Sequence, residues 1–436
     1  MTLPVDGGEV TVARHLARRD DARTAVVIAG GPGDSSIALL RDLLLGGTYE
    51  DPELWLDETW LAIDNRGVGV SDPIACVDSA WFDAMRGLEP VPGDDDAADA
   101  LRASRDAFRA GCLADRDEAS LARLDTATYV ADLEALRIAT GARELDLLAY
   151  SYGTRVAAAY TAAHPDRVGR VVLDSVVAPT ATRDGWLDPQ AEGFEVSLHR
   201  FFERCATNEA CAVRDDPEGA YRALLDAAAA APLPAPTDPA GRSLTRNELR
   251  WGVFGLLYYP QDALLGQVLD RARGGDAANA LLMADGGWGR DPVTGLYDNV
   301  YSASWSIGGT DLPWPEGWTD EDVWAYGAQM EADYPLLGWS TLSGELVCSG
   351  WPVRSEPIDF SAPDAPPVLL VNSRYDPATP WANADALREA LGNGSVLLTY
   401  EGDGHIAELS DASGCIGDAM SRFLRRGALP DDLTCP

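Results

Sequence analysis

The chain has 436 residues, of which 70 are acidic and 34 basic, for a formal net charge of −36. Such a balance argues against nucleic acid and anionic membranes as partners. It favours cationic ligands only weakly, because solubility alone explains it. No stretch approaches the length of a membrane span, and 436 residues suit one large domain carrying an insertion.

Apolar runs at 24–29, 59–64, 144–150, 170–175, 367–372 and 395–400 read as core strands. Helical patterns at 128–140, 153–163, 382–392 and 412–426 alternate with them, as expected of a mostly parallel sheet flanked by helices. Thr379-Pro380 and Asp411 stand where helix caps would. The first run leads into Gly30-Gly31-Pro32-Gly33. No Lys-Ser/Thr follows, so this is not a phosphate loop. The second run leads into Asp64-Asn65-Arg66-Gly67, where Arg66 is expected to brace the glycine loop or hold an acidic neighbour.

The run 144–150 ends at Ala149-Tyr150-Ser151-Tyr152-Gly153, and a helical pattern starts at once. A serine between small residues on a strand-to-helix turn reads as a nucleophile elbow of the α/β-hydrolase kind. By itself the motif is weak in a chain rich in alanine and glycine. The histidines strengthen it, since this fold orders its triad as Ser, then acid, then His. Of the four, His15 precedes the serine, His164 ends the following helix, and His199 falls in a helical stretch without an acid motif ahead of it. His405 remains, in a glycine-rich loop after the last core strand. Asp376, on the loop after the strand before that, is the matching acid. The expected site is therefore Ser151, Asp376 and His405, with the N–H groups of Gly31 and Tyr152 as the oxyanion hole.

Between 177 and 364 the pattern turns helical, with segments near 190–207, 217–230, 246–258, 261–273 and 320–332. A Pro/Ala-rich loop spans 231–241. The organisation expected is a hydrolase core over 1–179, a helical cap over 180–355, and the rest of the core over 356–436. A cap would gate the pocket and limit substrate length. Glu192, Glu195, Glu203, Glu321 and Glu331 are its candidate ligands for a substrate ammonium, each also readable as a solvated surface charge.

Of seven cysteines, Cys205 and Cys211 are close in sequence, Cys415 and Cys435 bracket the last helix, and Cys76 and Cys112 flank an acidic stretch. Three such bridges and a leftover Cys348 would suit an exported protein. The start lacks a signal peptide, which points to the cytosol unless one was trimmed. Neither paired Cys-x-x-Cys spacing nor a histidine cluster suggests zinc, and no cofactor is expected. Oligomeric state is not legible.

Gly-Gly-Pro-Gly, Asp-Asn-Arg-Gly-Val-Gly-Val-Ser, Tyr-Ser-Tyr-Gly-Thr and Asp-Pro-Ala-Thr-Pro together resemble the prolyl iminopeptidase and tripeptidyl aminopeptidase family of α/β-hydrolases. The tripeptidyl branch is the nearer, through Gly404-His405, Cys415, Arg426-Gly427-Ala428-Leu429-Pro430 and Cys435. The resemblance implies a serine exopeptidase acting near a free N-terminus through an acyl-enzyme, with Ser151 as nucleophile, Asp376 as acid and His405 as base. Two departures stand out: Ala149 where relatives usually have glycine, and a Trp-rich segment from Trp288 to Trp339 that should line the cleft. The rival within enzymes is an esterase, thioesterase or amidase using the same triad on a small acyl substrate. A non-catalytic binding module is a more distant alternative, since such a module would be expected to lose triad members.

Overall fold

The computed structural model describes residues 1–46 and 52–436. Among the described residues there are eleven strands: β1 (Thr2–Val5), β2 (Gly8–His15), β3 (Thr24–Ile28), β4 (Thr59–Ile63), β5 (Leu145–Tyr150), β6 (Val168–Asp174), β7 (Leu233–Pro234), β8 (Ser243–Leu244), β9 (Leu369–Tyr375), β10 (Val396–Asp403) and β11 (Leu433–Cys435). Nine form one sheet in the order β1-β2-β4-β3-β5-β6-β9-β10-β11, and β7 with β8 makes a separate two-stranded ribbon. Within the large sheet the pairs β4–β3, β3–β5, β5–β6, β6–β9, β9–β10 and β10–β11 are parallel, whereas β1–β2 and β2–β4 are antiparallel, as is β7–β8 in the ribbon. This is the α/β-hydrolase fold expected from the alternating strands and helices.

The central strands bury both faces, which explains their near-continuous apolar character. Val26, Leu61, Leu147, Val171 and Leu370 face one core, which includes Leu133, Val156 and Leu387 of the flanking helices. Val27, Ala62, Leu148, Val172 and Leu369 face the other, with Leu40, Met420 and Phe423. Helix Thr126–Thr140 shows how local sequence sets its limits. The Asp125 side chain accepts from the Thr128 N–H at one end, and Gly141 at φ +71° closes the other.

The structure extends what patterning showed. β1 and β2 add an N-terminal hairpin, and helices Ser36–Gly46 and Asp95–Asp115 lie in regions left unassigned. Helix Arg183–Thr207 begins about two turns before the expected 190, running through Pro189. Two more helices, Ala278–Gly287 and Val300–Asp311, stand within the stretch between β6 and β9. Thr379 is not a helix cap, since its groups turn to Asp376 instead, and Pro380 precedes the helix. Asp411 does accept from the Ile416 N–H in the first turn of helix Cys415–Arg426. Disulfides join Cys76 to Cys112, Cys205 to Cys211 and Cys415 to Cys435, and Cys348 is free and buried.

Candidate active site

Ser151 closes β5 and opens helix Tyr152–Ala163 at φ +52°, ψ −124°. A non-glycine residue rarely adopts positive φ, and the helix beneath and the sheet beside it over-determine this one. A β-carbon at Gly153 would lie 2.6 Å from the carbonyl oxygens of both Ile28 and Ala29. One at Gly30 would lie 2.8 Å from the Ser151 Cβ. The elbow therefore needs glycine after the serine and in the neighbouring loop, while Ala149 fits fully buried.

The carboxylate of Asp376 meets Nδ1 of His405 at 2.9 and 3.0 Å. Its own loop orients it: Oδ1 accepts the N–H groups of Ala378 (2.9 Å) and Thr379 (2.8 Å), and Oδ2 accepts the Thr379 hydroxyl (3.0 Å). Asp376 is buried, with its only exposure 2%. An acid so held fixes the imidazole's tautomer, leaving Nε2 free to act. The N–H of His405 donates to the Tyr258 carbonyl at 2.7 Å, and the Tyr258 ring stands edge-on to the imidazole at 5.2 Å. Sequence reasoning missed Tyr258; the only signal was its place at the end of a helix, Arg246–Tyr258, begun by the Thr245/Glu248 capping box and buried along most of its length.

Ser151, His405 and the loop Gly30 to Gly33 line one cavity of about 990 Å³. Gly31 and Gly33 take φ of +101° and +104°, which only glycine adopts readily. Two contacts pin the following turn to the residue after β4: the Asp64 carboxylate accepts from the Ser35 hydroxyl and from the N–H of Ile37, and it also accepts the N–H of Val70 in its own loop. Arg66 is not among them. It makes a bidentate pair with Asp132 at 2.7 and 2.8 Å, so it holds an acidic neighbour. The Tyr152 phenol donates to Asp311 and lies 3.1 Å from the Thr126 hydroxyl.

The remaining histidines stay apart from this arrangement. His15 ends β2, His164 follows helix Tyr152–Ala163, and His199 lies 3.9 Å from Glu195. None of Glu192, Glu195, Glu203, Glu321 and Glu331 lines the cavity. Glu195 instead receives the N–H groups of Leu336, Leu337 and Gly338, and Glu321 pairs with Arg102. The carboxylates that do line it are Asp34, Asp42, Asp298 and Glu345. Glu345 pairs with Arg183 at 2.9 Å. Asp34 follows the glycine loop directly, and burial together with the nearby charge of Asp298 pushes its carboxyl up to about 6. Among the described residues neither Asp34 nor Asp298 pairs with an arginine. Trp288, Trp305 and Trp314 do not line the cleft as expected: each is buried, Trp288 against Trp251, Trp305 against Phe82 and Phe108, and Trp314 against Trp318. The same segment reaches the cavity through Asp298 to Tyr301 and Ser304.

The chain is similar to known hydrolases along its whole length. The family described as TAP-like protein matches residues 334–435. The serine protease Hip1 of Mycobacterium tuberculosis is 30% identical over 460 residues, covering 99% of this chain and 85% of that protein. The tripeptidyl aminopeptidase of Streptomyces coelicolor is 29% identical over 461 residues, covering 100% of this chain and 82% of its own. A carboxylesterase B of Mycobacterium tuberculosis is 28% identical over 452 residues, covering 99% and 84% respectively.

Proposed function

Since the chain belongs to the tripeptidyl aminopeptidase-like family of α/β-hydrolases, we propose that it is a serine exopeptidase cleaving near a free N-terminus. Ser151 attacks the scissile carbonyl while His405 takes its proton, and Asp376 stabilises the imidazolium. The N–H groups of Gly31 and Tyr152 receive the oxyanion. His405 then protonates the departing amine, and water, deprotonated by the same histidine, releases the acyl group. Residues 180–355 act as the cap, and Tyr258 is its contact with the base.

The observation that carries the peptidase reading is the presence of Asp34 and Asp298 in the cavity that holds Ser151. Two carboxylates without an arginine partner make that wall electronegative, and their mutual repulsion is relieved when a cation enters. A peptide's terminal ammonium is such a cation. The reading is tested with matched peptide amides bearing free or acetylated N-termini, beside p-nitrophenyl esters of the same acyl groups. Cleavage of free peptides only is expected; equal turnover of acetylated peptides overturns it.

The second reading, an esterase, thioesterase or amidase, draws support from the carboxylesterase among the relatives. Turnover of simple esters with none of any peptide would select it. The complete Ser151, Asp376 and His405 set speaks against a binding module that lacks catalysis.

A further inference from the structure

The last residue of β6 touches both ends of the reacting pair without entering the cavity. The carbonyl of Asp174 accepts the N–H of Ser151 at 2.9 Å. Its carboxylate turns the other way and accepts the N–H groups of Ala407 at 2.9 Å and Glu408 at 3.0 Å. The next residue completes the set, for Ser175 Oγ accepts the N–H of Ile406 at 2.7 Å. Three consecutive N–H groups after His405 are thus received by two consecutive residues, the last of β6 and the one after it.

The conformations on both sides require holding. Ser175 has φ +60° and Ile406 has φ +62°. For a β-branched residue this is a genuine outlier, which persists only where surrounding contacts over-determine it. The carboxylate is also costly for the fold. It is fully buried, and burial outweighs the two N–H contacts in pushing its carboxyl up to about 6, with Asp376 adding like charge. A buried group under such a penalty is not explained by stability alone.

We propose that Asp174 is a positioning residue that keeps Ser151 and His405 in register, with Ser175 as its auxiliary. The proposal rests on Ser151 and His405 being nucleophile and base. Its action is geometric: the main chain of Asp174 sets the elbow, its side chain sets the turn carrying the imidazole, and one rigid residue fixes the offset between them. Displacements of about 1 Å in such pairs can cost on the order of 100-fold in rate.

The test compares Asp174→Asn, which can no longer accept at both positions, with Ser175→Gly, which suits φ +60° but has no hydroxyl. Each is measured by active-site titration with a fluorophosphonate, then by kcat per titrated site and KM. The expected result is a fall of at least about 10-fold in kcat per site for Asp174→Asn with KM nearly unchanged, and a smaller fall for Ser175→Gly. A folded Asp174→Asn protein with wild-type kcat per site overturns the proposal. So does a loss seen only as fewer titratable sites, which is the mark of a purely structural role. Should Asp174→Asn fail to fold, Ser175→Gly decides, and an unchanged kcat there overturns the proposal as well. A Ser151→Ala arm separates the two inferences: labelling that survives it refutes the catalytic assignment itself, whatever Asp174 does.

Discussion

Thr379 grips Asp376 twice, through its N–H at 2.8 Å and its hydroxyl at 3.0 Å, and that hydroxyl also lies 3.4 Å from Nδ1 of His405. The acid's orientation is thus built into the four residues from Asp376 to Thr379. Replacing Thr379 by valine keeps the shape and removes one donor to a charged acceptor, an interaction worth about 1.5–3 kcal/mol. A fall of roughly 10-fold in kcat/KM is expected for Thr379→Val, with recovery in Thr379→Ser, measured on any competent substrate.

Ser151→Ala should lower turnover by on the order of 10⁶, because members of a triad act as a unit. Steady-state assay with an ester reporter checks this, provided the variant is purified away from wild-type carry-over. Residual activity within a factor of ten of wild type would refute the assignment.

Asp34→Asn is expected to raise KM for peptides with a free amine and to leave KM for uncharged esters unchanged. The pH dependence has a definite sign. A carboxyl raised to about 6 in the folded chain, against about 3.9 when unfolded, favours the protonated form on folding. Its ionised form therefore weakens the fold above about pH 6, and this penalty vanishes as pH falls towards 4. Thermal unfolding should show Asp34→Asn more stable than wild type at pH 7.5 and equal to it at pH 4. In the wild-type enzyme KM for amine substrates should rise as pH drops below about 6, whereas titration of the base acts on both substrate classes alike.

Gly153→Ala tests the elbow's packing. Its β-carbon would stand 2.6 Å from two carbonyl oxygens of the strand β3 end, neither of which can yield without moving the sheet. Overpacking of this kind costs about 1–3 kcal/mol. A lowered melting temperature with loss of fluorophosphonate labelling is the expected outcome.

Ser151, Asp376 and His405 were legible because each follows an apolar strand, and a strand end is recognised by local pattern. Gly31 was legible for the same reason. Asp34 and Asp298 were not, since nothing in an acidic chain distinguishes the carboxylate that faces a cavity from those facing water. Of the five helical glutamates that could have met an ammonium, Glu195 turns its buried carboxylate to the N–H groups of Leu336, Leu337 and Gly338. Helix Val300–Asp311 escaped notice because Ser302, Ala303 and all of Trp305 to Asp311 are buried, which leaves no amphipathic period to read. Asp174 resembled any strand terminus. Its importance lies in contacts with Ser151, 23 positions before it, and with Ala407 and Glu408, 233 and 234 positions after it.

The phenol of Tyr152 ends on Asp311, the last residue of helix Val300–Asp311, while its main chain belongs to the turn after β5. Exchanging the stretch between β6 and β9 for another sequence would therefore not be a neutral graft. A chimaera lacking Asp311 would leave the buried Tyr152 phenol and Thr126 hydroxyl without the carboxylate both reach, so swaps intended to alter selectivity should carry Asp311 along with its helix.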